Sequence, residues 1–240
     1  MKTKNRIWFS PLVIIIMGLL CLAGWCTKEP DTNSSGSITD KDGNVYTSVT
    51  IGSQVWMVEN LKTTKYNDGT AIPNVTDNTA WAHLTTGAYC WYNNDISNKT
   101  SYGALYNWYT VNTGKLCPTG WHVPSGAEWT TLVDYLGGWE INGGKLKEAG
   151  TTHWQSPNLG ATNETGFTGL PGSDRSYNDG LFTDMGRFGF WWSITPYIDI
   201  WGENRAGYFT LYKDETWGDI GTESFGSPIG NGYSVRCLKD

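Results

Sequence analysis

The chain has 240 residues, of which 30 are glycine, 14 tryptophan and 13 tyrosine, and its formal net charge is −6. Abundant glycine, dense aromatic residues and modest charge favour short strands joined by many turns and exclude a helical bundle. An acidic chain without a basic patch is not suited to nucleic acid, so we expect no nucleic-acid partner.

The N-terminus has the pattern of a targeting segment. Lys2, Lys4 and Arg6 precede a mostly apolar run at residues 7–25. A basic region followed by a short apolar region is typical of a secretory signal peptide. We therefore expect residues 1–25 to be a signal peptide and the rest of the chain to lie outside the cytoplasm. An uncleaved membrane anchor is the alternative.

The end of this segment resembles the cleavage site of a bacterial lipoprotein. In Leu22-Ala23-Gly24-Trp25-Cys26, the cysteine would become the lipidated first residue of the mature chain. The usual pattern has a small residue immediately before the cysteine, and Trp25 takes that place here; Cys21 is a second, poorer candidate. Lipidation of Cys26 predicts a protein anchored in the cell envelope, at the outer membrane or cell surface. Cleavage there removes three of the 17 cations and none of the 23 acids, which leaves a net charge of −9.

The mature chain divides into a linker and one domain. Residues 26–39 are polar, include glycine, proline and serine, and contain no aromatic residue, which predicts a flexible tether. The segment 40–240 is long enough to form a single domain with its own hydrophobic core.

A β-hairpin is predicted near the start of this domain. Val45, Thr47, Val49 and Ile51 alternate with other residues as in a half-buried strand. Gly52-Ser53 is typical of a tight turn with glycine first. Residues 54–58 are therefore expected to return as the second strand.

The best-specified element is a helix in the middle of the chain. Ser125 and Glu128 have the spacing of a capping box, in which each residue satisfies an amide of the other. The apolar residues behind the cap repeat at helical spacing: Trp129, Leu132, Val133 and Leu136. Gly137-Gly138 would end the helix.

From residue 166 onward the pattern indicates strands and turns. Residues 188–193 form a nearly continuous aromatic run, expected to be a strand buried on both faces. Tyr208, Thr210 and Tyr212 alternate with Phe209 and Leu211 in a further strand.

Several segments together resemble one known family. They are residues 42–73 (DGNVYTSVTIGSQVWMVENLKTTKYNDGTAIP), 88–95 (AYCWYNND), 102–111 (YGALYNWYTV), 117–129 (CPTGWHVPSGAEW), 166–176 (GFTGLPGSDRS), 189–193 (GFWWS) and 232–240 (GYSVRCLKD). Through them the chain is similar to the Fibrobacter succinogenes major paralogous (FISUMP) domain over nearly all of its mature length. This resemblance brings no established activity with it.

A more distant resemblance concerns the fold. A proline before an acid-Trp helix start, residues 180–186 (GLFTDMG) and the closing GYSVRC are similar to the formylglycine-generating-enzyme-like and C-type-lectin-like superfamily. The resemblance implies an α+β, C-type-lectin-like fold, with a small twisted antiparallel sheet, two or three helices and long loops.

Three cysteines remain after the signal peptide, an odd number for an oxidising compartment: Cys90, Cys117 and Cys237. Sequence alone leaves their connectivity open. C-type-lectin-like folds commonly join a helical region to the last strand by a disulfide, so the resemblance implies Cys117–Cys237. Cys90 is then a buried free thiol, or it pairs with Cys117 instead.

No catalytic constellation is evident in the sequence. There is no G-x-S-x-G, glycine-rich phosphate loop or HExxH motif. His83, His122 and His153 are too scattered for a metal pair, and we expect His122 to bond the backbone near the helix start. Formylglycine-generating enzymes have two copper-binding cysteines five residues apart in the C-terminal half, where this chain has Cys237 alone. We therefore expect a non-enzyme and keep an oxidase of that type as the alternative.

Two polar clusters have weaker functional interpretations. Asp174, Asp179 and Asp184, beside Arg175, would suit glycoside hydrolysis if they formed paired carboxylates; turn-forming aspartates and one surface ion pair are the interpretation we favour. The oxygen-rich Asn93-Asn94-Asp95 makes calcium the one candidate ion. No other cofactor is expected.

The density of aromatic residues suggests the function. Rings beyond the needs of a core, on an exported protein, can stack on the C–H faces of sugars, and an exposed aromatic patch usually marks a binding site. The candidate ligand-binding residues are Tyr197, Trp201, Tyr208, Tyr212 and Trp217. Asp199, Glu203, Asn204, Arg205 and Asp214 lie between them as hydrogen-bonding partners. We therefore expect a surface module that binds a glycan or a surface protein. For the rings, the alternative is burial in the core. For the function, a further alternative is a purely structural or adhesive subunit of a surface assembly.

Overall fold

The domain consists of small antiparallel sheets and short helices. The computed structural model of the chain describes residues 37–183, 185–221 and 225–240. The predicted signal peptide, Cys26 and most of the tether lie outside the described residues, as does Asp184. Ser37–Asp240 form one compact unit.

The strands are β1 (Ile38–Thr39), β2 (Val45–Tyr46), β3 (Ser48–Ile51), β4 (Gln54–Met57), β5 (Tyr89–Cys90), β6 (Leu105–Tyr106), β7 (Trp121–His122), β8 (Phe188–Ile198), β9 (Asn204–Tyr212), β10 (Gly218–Gly221), β11 (Ser227–Pro228) and β12 (Leu238–Lys239). The helices are α1 (Asn78–Ala82), α2 (Lys99–Tyr102), α3 (Trp108–Val111), α4 (Gly126–Tyr135) and α5 (Asn142–Leu146). The predicted α+β class with small antiparallel sheets is confirmed. The described part of the chain has five α-helices, and four of them are only four or five residues long.

The predicted N-terminal hairpin is confirmed at β3 and β4, where Ile51 pairs with Gln54 across the turn. Before β3 the predicted alternation of buried and exposed residues is wrong, since Val45 is exposed and Tyr46 is buried. Thr47 interrupts the strand because the Glu59 carboxylate accepts from its amide at 2.8 Å and from its hydroxyl at 2.9 Å. Ile38, within the predicted tether, is buried and pairs with Tyr46, so the ordered fold includes residues 38 and 39.

Among the described residues, the longest strands form the antiparallel hairpin of β8 and β9. Its register runs from Phe188 opposite Tyr212 to Trp192 opposite Tyr208, and then shifts before Pro196 pairs with Ala206. The shift places two extra residues on β8, where the amide of Ile194 donates to the carbonyl of Pro124 at 2.9 Å. β9 lies in the middle of this sheet, with β8 on one edge and β10 and β11 on the other.

Helix α4 covers one face of this sheet and confirms the predicted cap. The Ser125 hydroxyl accepts from the amide of Glu128, whose carboxylate accepts from the Ser125 amide at 2.7 Å. The buried Trp129 ring stacks on Phe209 with 4.6 Å between centroids. Trp56, Phe167 and Trp191 extend this aromatic core. Gly137, with a φ of +99°, follows the end of the helix as predicted.

A second core lies on the other side of the sheet, around Tyr106, Trp192 and Tyr233. It contains the Cys117–Cys237 disulfide, with 6.1 Å between the Cα atoms, which confirms the pairing implied by the resemblance. Cys90 is a free, buried cysteine, and burial raises the pKa of its thiol to about 12.

Buried cations connect the long loops. Arg236 is nearly inaccessible and donates to Asn60 Oδ1 at 2.9 Å and to the carbonyl of Phe167. The ammonium group of Lys147, another buried residue, donates to the carbonyls of Leu159, Tyr212 and Glu215 at 2.8, 2.9 and 2.7 Å. Because buried carbonyls need donors, these side chains fix loops that have little regular structure.

Candidate binding cleft

The tip of the β8–β9 hairpin is a closed, internally bonded loop. The amide of Asp199 donates to the carbonyl of Glu203, and that of Gly202 donates to the carbonyl of Asp199, each at 3.0 Å. The Asp199 side chain accepts from the amides of Trp201 at 3.0 Å and Glu203 at 2.8 Å. Gly202 has a φ of +81°, which favours glycine. The loop therefore holds the indole of Trp201 outward, and this residue is 77% exposed.

The same aspartate binds the first charged residue of β9. Its second carboxylate oxygen accepts from Nε of Arg205 at 2.8 Å, and the side chains are 5% and 20% exposed. Partial burial raises the pKa of Asp199, but the two amides and Arg205 outweigh it and hold that pKa below its usual value. The hydrogen bond to Asp199 raises the pKa of Arg205 in turn. Asp199 is therefore ionised, and its negative charge offsets the positive charge of Arg205.

A cleft of about 620 Å³ lies beside this hairpin tip. Its lining comes from the hairpin, from α1 and the residues after it, from α3, from the turn at Tyr177, and from β11 and the turn after it. The lining residues are Trp81, Ala82, Leu84, Tyr109, Tyr177, Trp201, Glu203, Asn204, Arg205, Pro228, Ile229 and Gly230. The volume lies within the range of small-molecule sites.

Hydrogen bonds and a buried guanidinium hold the floor of the cleft in place. Trp81 is 1% exposed, and its indole N–H donates to the carbonyl of Gly230 at 3.1 Å. The guanidinium of Arg175 lies 4.5 Å from the Trp81 ring centroid. Arg175 donates to the carbonyls of Val75, Thr76 and Gly180 at 2.6, 2.9 and 2.8 Å. It is fully buried, which corrects the prediction of a surface ion pair at this residue.

The walls combine flat rings with polar groups. Among the rings of the walls, Trp201 is the most exposed, Tyr177 is 38% exposed, and Tyr109 is half-buried. Glu203 and Asn204 are exposed beside them. Such a surface can stack on the apolar face of a ring-shaped ligand while carboxylate, amide and guanidinium groups bond its hydroxyls.

The five aromatic residues selected from the sequence do not form one site. Tyr208, Tyr212 and Trp217 lie together with Phe188 and Phe190 on the sheet face opposite α4, and we call these five half-buried rings the aromatic strip. Within it, Tyr212 lies 4.8 Å from Trp217 and 5.8 Å from Phe188, centroid to centroid. Phe190 also stacks on the buried Tyr233 at 4.8 Å, so the strip continues into the core.

The other two predicted residues lie elsewhere. Tyr197 is half-buried and packs over Gly207, where a Cβ atom would approach its ring to 3.0 Å. Trp201 alone of the five lines the cleft. Of the predicted polar partners, Glu203, Asn204 and Arg205 line the cleft with Trp201. Asp199 is not part of the lining and accepts hydrogen bonds from the Glu203 amide and from Arg205.

Trp81, Tyr109 and Tyr177 were missed as site residues. They come from three distant parts of the sequence and meet only in the folded chain. Trp81 is buried, and its ring belongs to a core cluster as well as to the floor of the cleft. In the sequence, the one indication of a site residue among them was the position of Tyr177 next to the turn residues Asn178-Asp179-Gly180.

The candidate carboxylates have structural partners. The Thr183 hydroxyl donates to Asp174, and burial raises the pKa of that carboxyl. Asp179 accepts from the amide of Leu181 at 3.1 Å, which lowers its pKa. His122 bonds the carboxylates of Asp240 at 2.7 Å and Glu128 at 2.9 Å, not the backbone as predicted.

The predicted calcium loop is made of turn-forming contacts. The side-chain amide of Asn94 donates to the carbonyl of Thr76 at 2.9 Å, and Asp95 accepts from the amide of Ser97 at 2.8 Å. In the described part of the chain, no three His, Cys, Asp or Glu residues are grouped as a metal site would require. No described helix has the length and apolar character needed to cross a membrane.

Comparison with known proteins gives a family and no closer relative. The model of the Fibrobacter succinogenes major domain matches residues 49–239. No curated protein matches the chain, and no solved structure matches it.

Proposed function

The chain belongs to the Fibrobacter succinogenes major domain family, and from its cleft we propose that it is an exported, non-catalytic module that binds glycans at the cell surface. The family carries no named activity, so the proposal rests on the geometry of the site. The described residues form one compact unit with a cleft at one end of its longest hairpin.

The observation that carries the proposal is the placement of Trp201. A 77% exposed indole is unfavourable in water, yet the Asp199 hydrogen bonds hold the loop that displays it. The ring borders a cleft that also contains Tyr177 and polar groups. Since a pyranose has both an apolar C–H face and a rim of hydroxyls, this combination suits a sugar better than a wholly apolar ligand.

Location is the second part of the proposal. A signal peptide at residues 1–25 and lipidation of Cys26 would place the domain at the outer membrane or cell surface. The Cys117–Cys237 disulfide supports an oxidising compartment, because disulfides persist outside the cytoplasm. Labelling with a palmitate analogue tests the anchor: Cys26→Ala should lose the label, and retained label would exclude Cys26.

The state of the cysteines favours binding over oxidase chemistry. Cys117 and Cys237 are bonded to each other, and the Cys90 thiol is buried with its pKa raised to about 12. Reactive cysteines are accessible and have lowered pKa values. Oxidase activity of the formylglycine-generating type remains the alternative from another class of function.

A polysaccharide pull-down and glycan array with the purified chain test the proposal. We expect binding to at least one glycan, and we expect Trp201→Ala to weaken it at least roughly tenfold, as for a central aromatic contact. Trp139→Ala is the matched control, because Trp139 is 51% exposed and lies outside the cleft lining. Trp217→Ala tests the aromatic strip separately.

Thermal melting of all variants accompanies the binding assay. Trp201→Ala should have the same melting temperature as the natural chain, since the Trp201 side chain is mostly exposed to water. Absence of binding to any polysaccharide, with and without calcium, would overturn the glycan proposal and leave a protein partner. Binding lost in Trp217→Ala and kept in Trp201→Ala would move the site to the aromatic strip.

A further inference from the structure

The charged side chains in and near the cleft indicate which class of glycan it would bind. Two charged side chains, Glu203 and Arg205, belong to its lining in the described part of the chain. The third nearby charge, Arg175, lies behind the Trp81 ring and is fully buried, with its N–H groups donating to backbone carbonyls and to Asn78. A ligand in the cleft therefore meets one carboxylate and one guanidinium.

The guanidinium is already engaged. Arg205 donates to the 5% exposed Asp199 side chain at 2.8 Å, and Asp199 also supports the loop through two amides. An anionic ligand would compete with Asp199 for Arg205 and would approach two carboxylates. Separating this half-buried pair would cost Arg205 and Asp199 their charge-assisted hydrogen bond. Acidic sugars are therefore disfavoured.

The carboxylate of Glu203 is available. It has no hydrogen-bond or ion-pair partner within the described ranges, and it is exposed at the rim of the cleft beside Trp201. Aromatic rings attract cations through their negative faces, and a carboxylate forms its strongest hydrogen bonds with charged donors. The rings and Glu203 together favour a positively charged group on the ligand.

We propose that the cleft selects glycans with free amino groups, such as unacetylated hexosamines. The sugar ring stacks on Trp201, and its ammonium group donates to Glu203. This inference rests on the proposed glycan function and narrows its ligand class. Neutral sugars would bind through the same ring contact without the charged pair.

Titration with three oligosaccharides of equal length tests the proposal: glucosamine, N-acetylglucosamine and galacturonate oligomers, at a pH where the amines are protonated. We expect glucosamine oligomers to bind roughly threefold to fivefold tighter than the acetylated ones, the effect of one ion pair with an exposed carboxylate. Galacturonate oligomers should bind weakest. Added salt should reduce the preference.

Two variants distinguish the effect of the Glu203 carboxylate from the effect of the chain's overall negative charge. Glu203→Gln should abolish the preference and keep binding of the acetylated oligomer. Asp134→Asn removes one exposed acid on α4, outside the cleft lining, and should leave the preference unchanged.

The outcomes distinguish this inference from the proposed function. Equal binding of glucosamine and N-acetylglucosamine oligomers would overturn the amine inference and leave glycan binding intact. A preference that survives in Glu203→Gln would overturn it as well, by assigning the effect to overall charge. Absence of binding to all three oligomers and to the glycan array would overturn both.

Discussion

Asp199 and Arg205 face each other across the base of the hairpin loop, with Oδ2 of the aspartate accepting from Nε of the arginine at 2.8 Å. The other oxygen of the same carboxylate accepts from the amides of Trp201 and Glu203. One buried carboxylate thus shapes the loop that displays the indole and neutralises the cation beside it. The geometry of the cleft depends on this residue.

The first prediction concerns that carboxylate. Asp199→Ala leaves two amides and a guanidinium without their acceptor, which should lower the free energy of unfolding. Because the loop that positions Trp201 loses its internal bonds, glycan binding should fall with it. Urea denaturation and oligosaccharide titration measure the two effects.

Asp199→Asn is the matched control for charge. Its side-chain oxygen can still accept from the loop amides, so it should keep more stability and more binding than Asp199→Ala. Full binding by Asp199→Ala would show that the loop does not depend on this network.

The second prediction concerns the disulfide. Cys117 and Cys237 are 120 residues apart in sequence, and closing a loop of that length restricts the unfolded chain strongly. Replacing both by alanine should lower the free energy of unfolding by about 2–5 kcal/mol. Urea midpoints measure the loss. A reductant should lower the midpoint of the natural chain and leave that of the double variant unchanged; equal midpoints for all samples would contradict the prediction.

The third prediction concerns the buried Lys147. Lys147→Met removes the donor of three carbonyls while keeping most of the apolar side chain. Hydrogen bonds to a charged group are strong, so we expect a loss of about 3 kcal/mol. Lys145→Met is the control, because Lys145 pairs with Glu164 near the surface and such pairs contribute at most about 1 kcal/mol. Equal melting temperatures for the two variants would contradict a structural role for Lys147.

The fourth prediction concerns pH and His122, which lies between Asp240 and Glu128. Partial burial lowers the pKa of His122, but the hydrogen bonds that its ring donates to these two carboxylates outweigh it and raise the pKa above its ordinary value. Glu128 is also buried in part, yet its bonds to Ser125 and His122 lower its pKa. The charged pair is thus present in mildly acidic solution.

The sign of the effect follows from the raised pKa. Stabilisation by protonated His122 is complete below the ordinary histidine pKa of about 6.5, and it is lost as the pH rises through the higher folded-state pKa. The difference in unfolding free energy between the natural chain and His122→Gln should therefore be largest near pH 6 and shrink towards pH 9. Denaturation across that range measures it, and a difference that grows with pH would be contrary to the assignment.

Local rules in the sequence predicted some elements fully. The capping box of Ser125 and Glu128, the apolar face of α4 and the turn at Gly52 are determined by residues a few positions apart. The alternation in β9 likewise placed Tyr208 and Tyr212 on one face. These features depend on backbone geometry that neighbouring residues impose.

The cleft could not be predicted in this way. It joins Trp81, Tyr109 and Tyr177 to the hairpin tip, and nothing in the spacing of these residues brings them together. The register shift between Trp192 and Pro196 could not be predicted from the sequence either. It is stabilised by the carbonyl of Pro124, which lies far away in the chain, just before α4. Burial of Arg175 depends on carbonyls about one hundred residues away.

The central claim is that glycans bind in the cleft at Trp201. The most direct test is a titration of the chain with ¹⁵N-labelled tryptophan, in which the indole N–H signals are followed as a binding oligosaccharide is added. The signal of Trp201 should shift with the bound fraction, while those of the buried Trp56 and Trp191 should stay in place. A shift of the Trp217 signal with Trp201 unchanged would contradict the account.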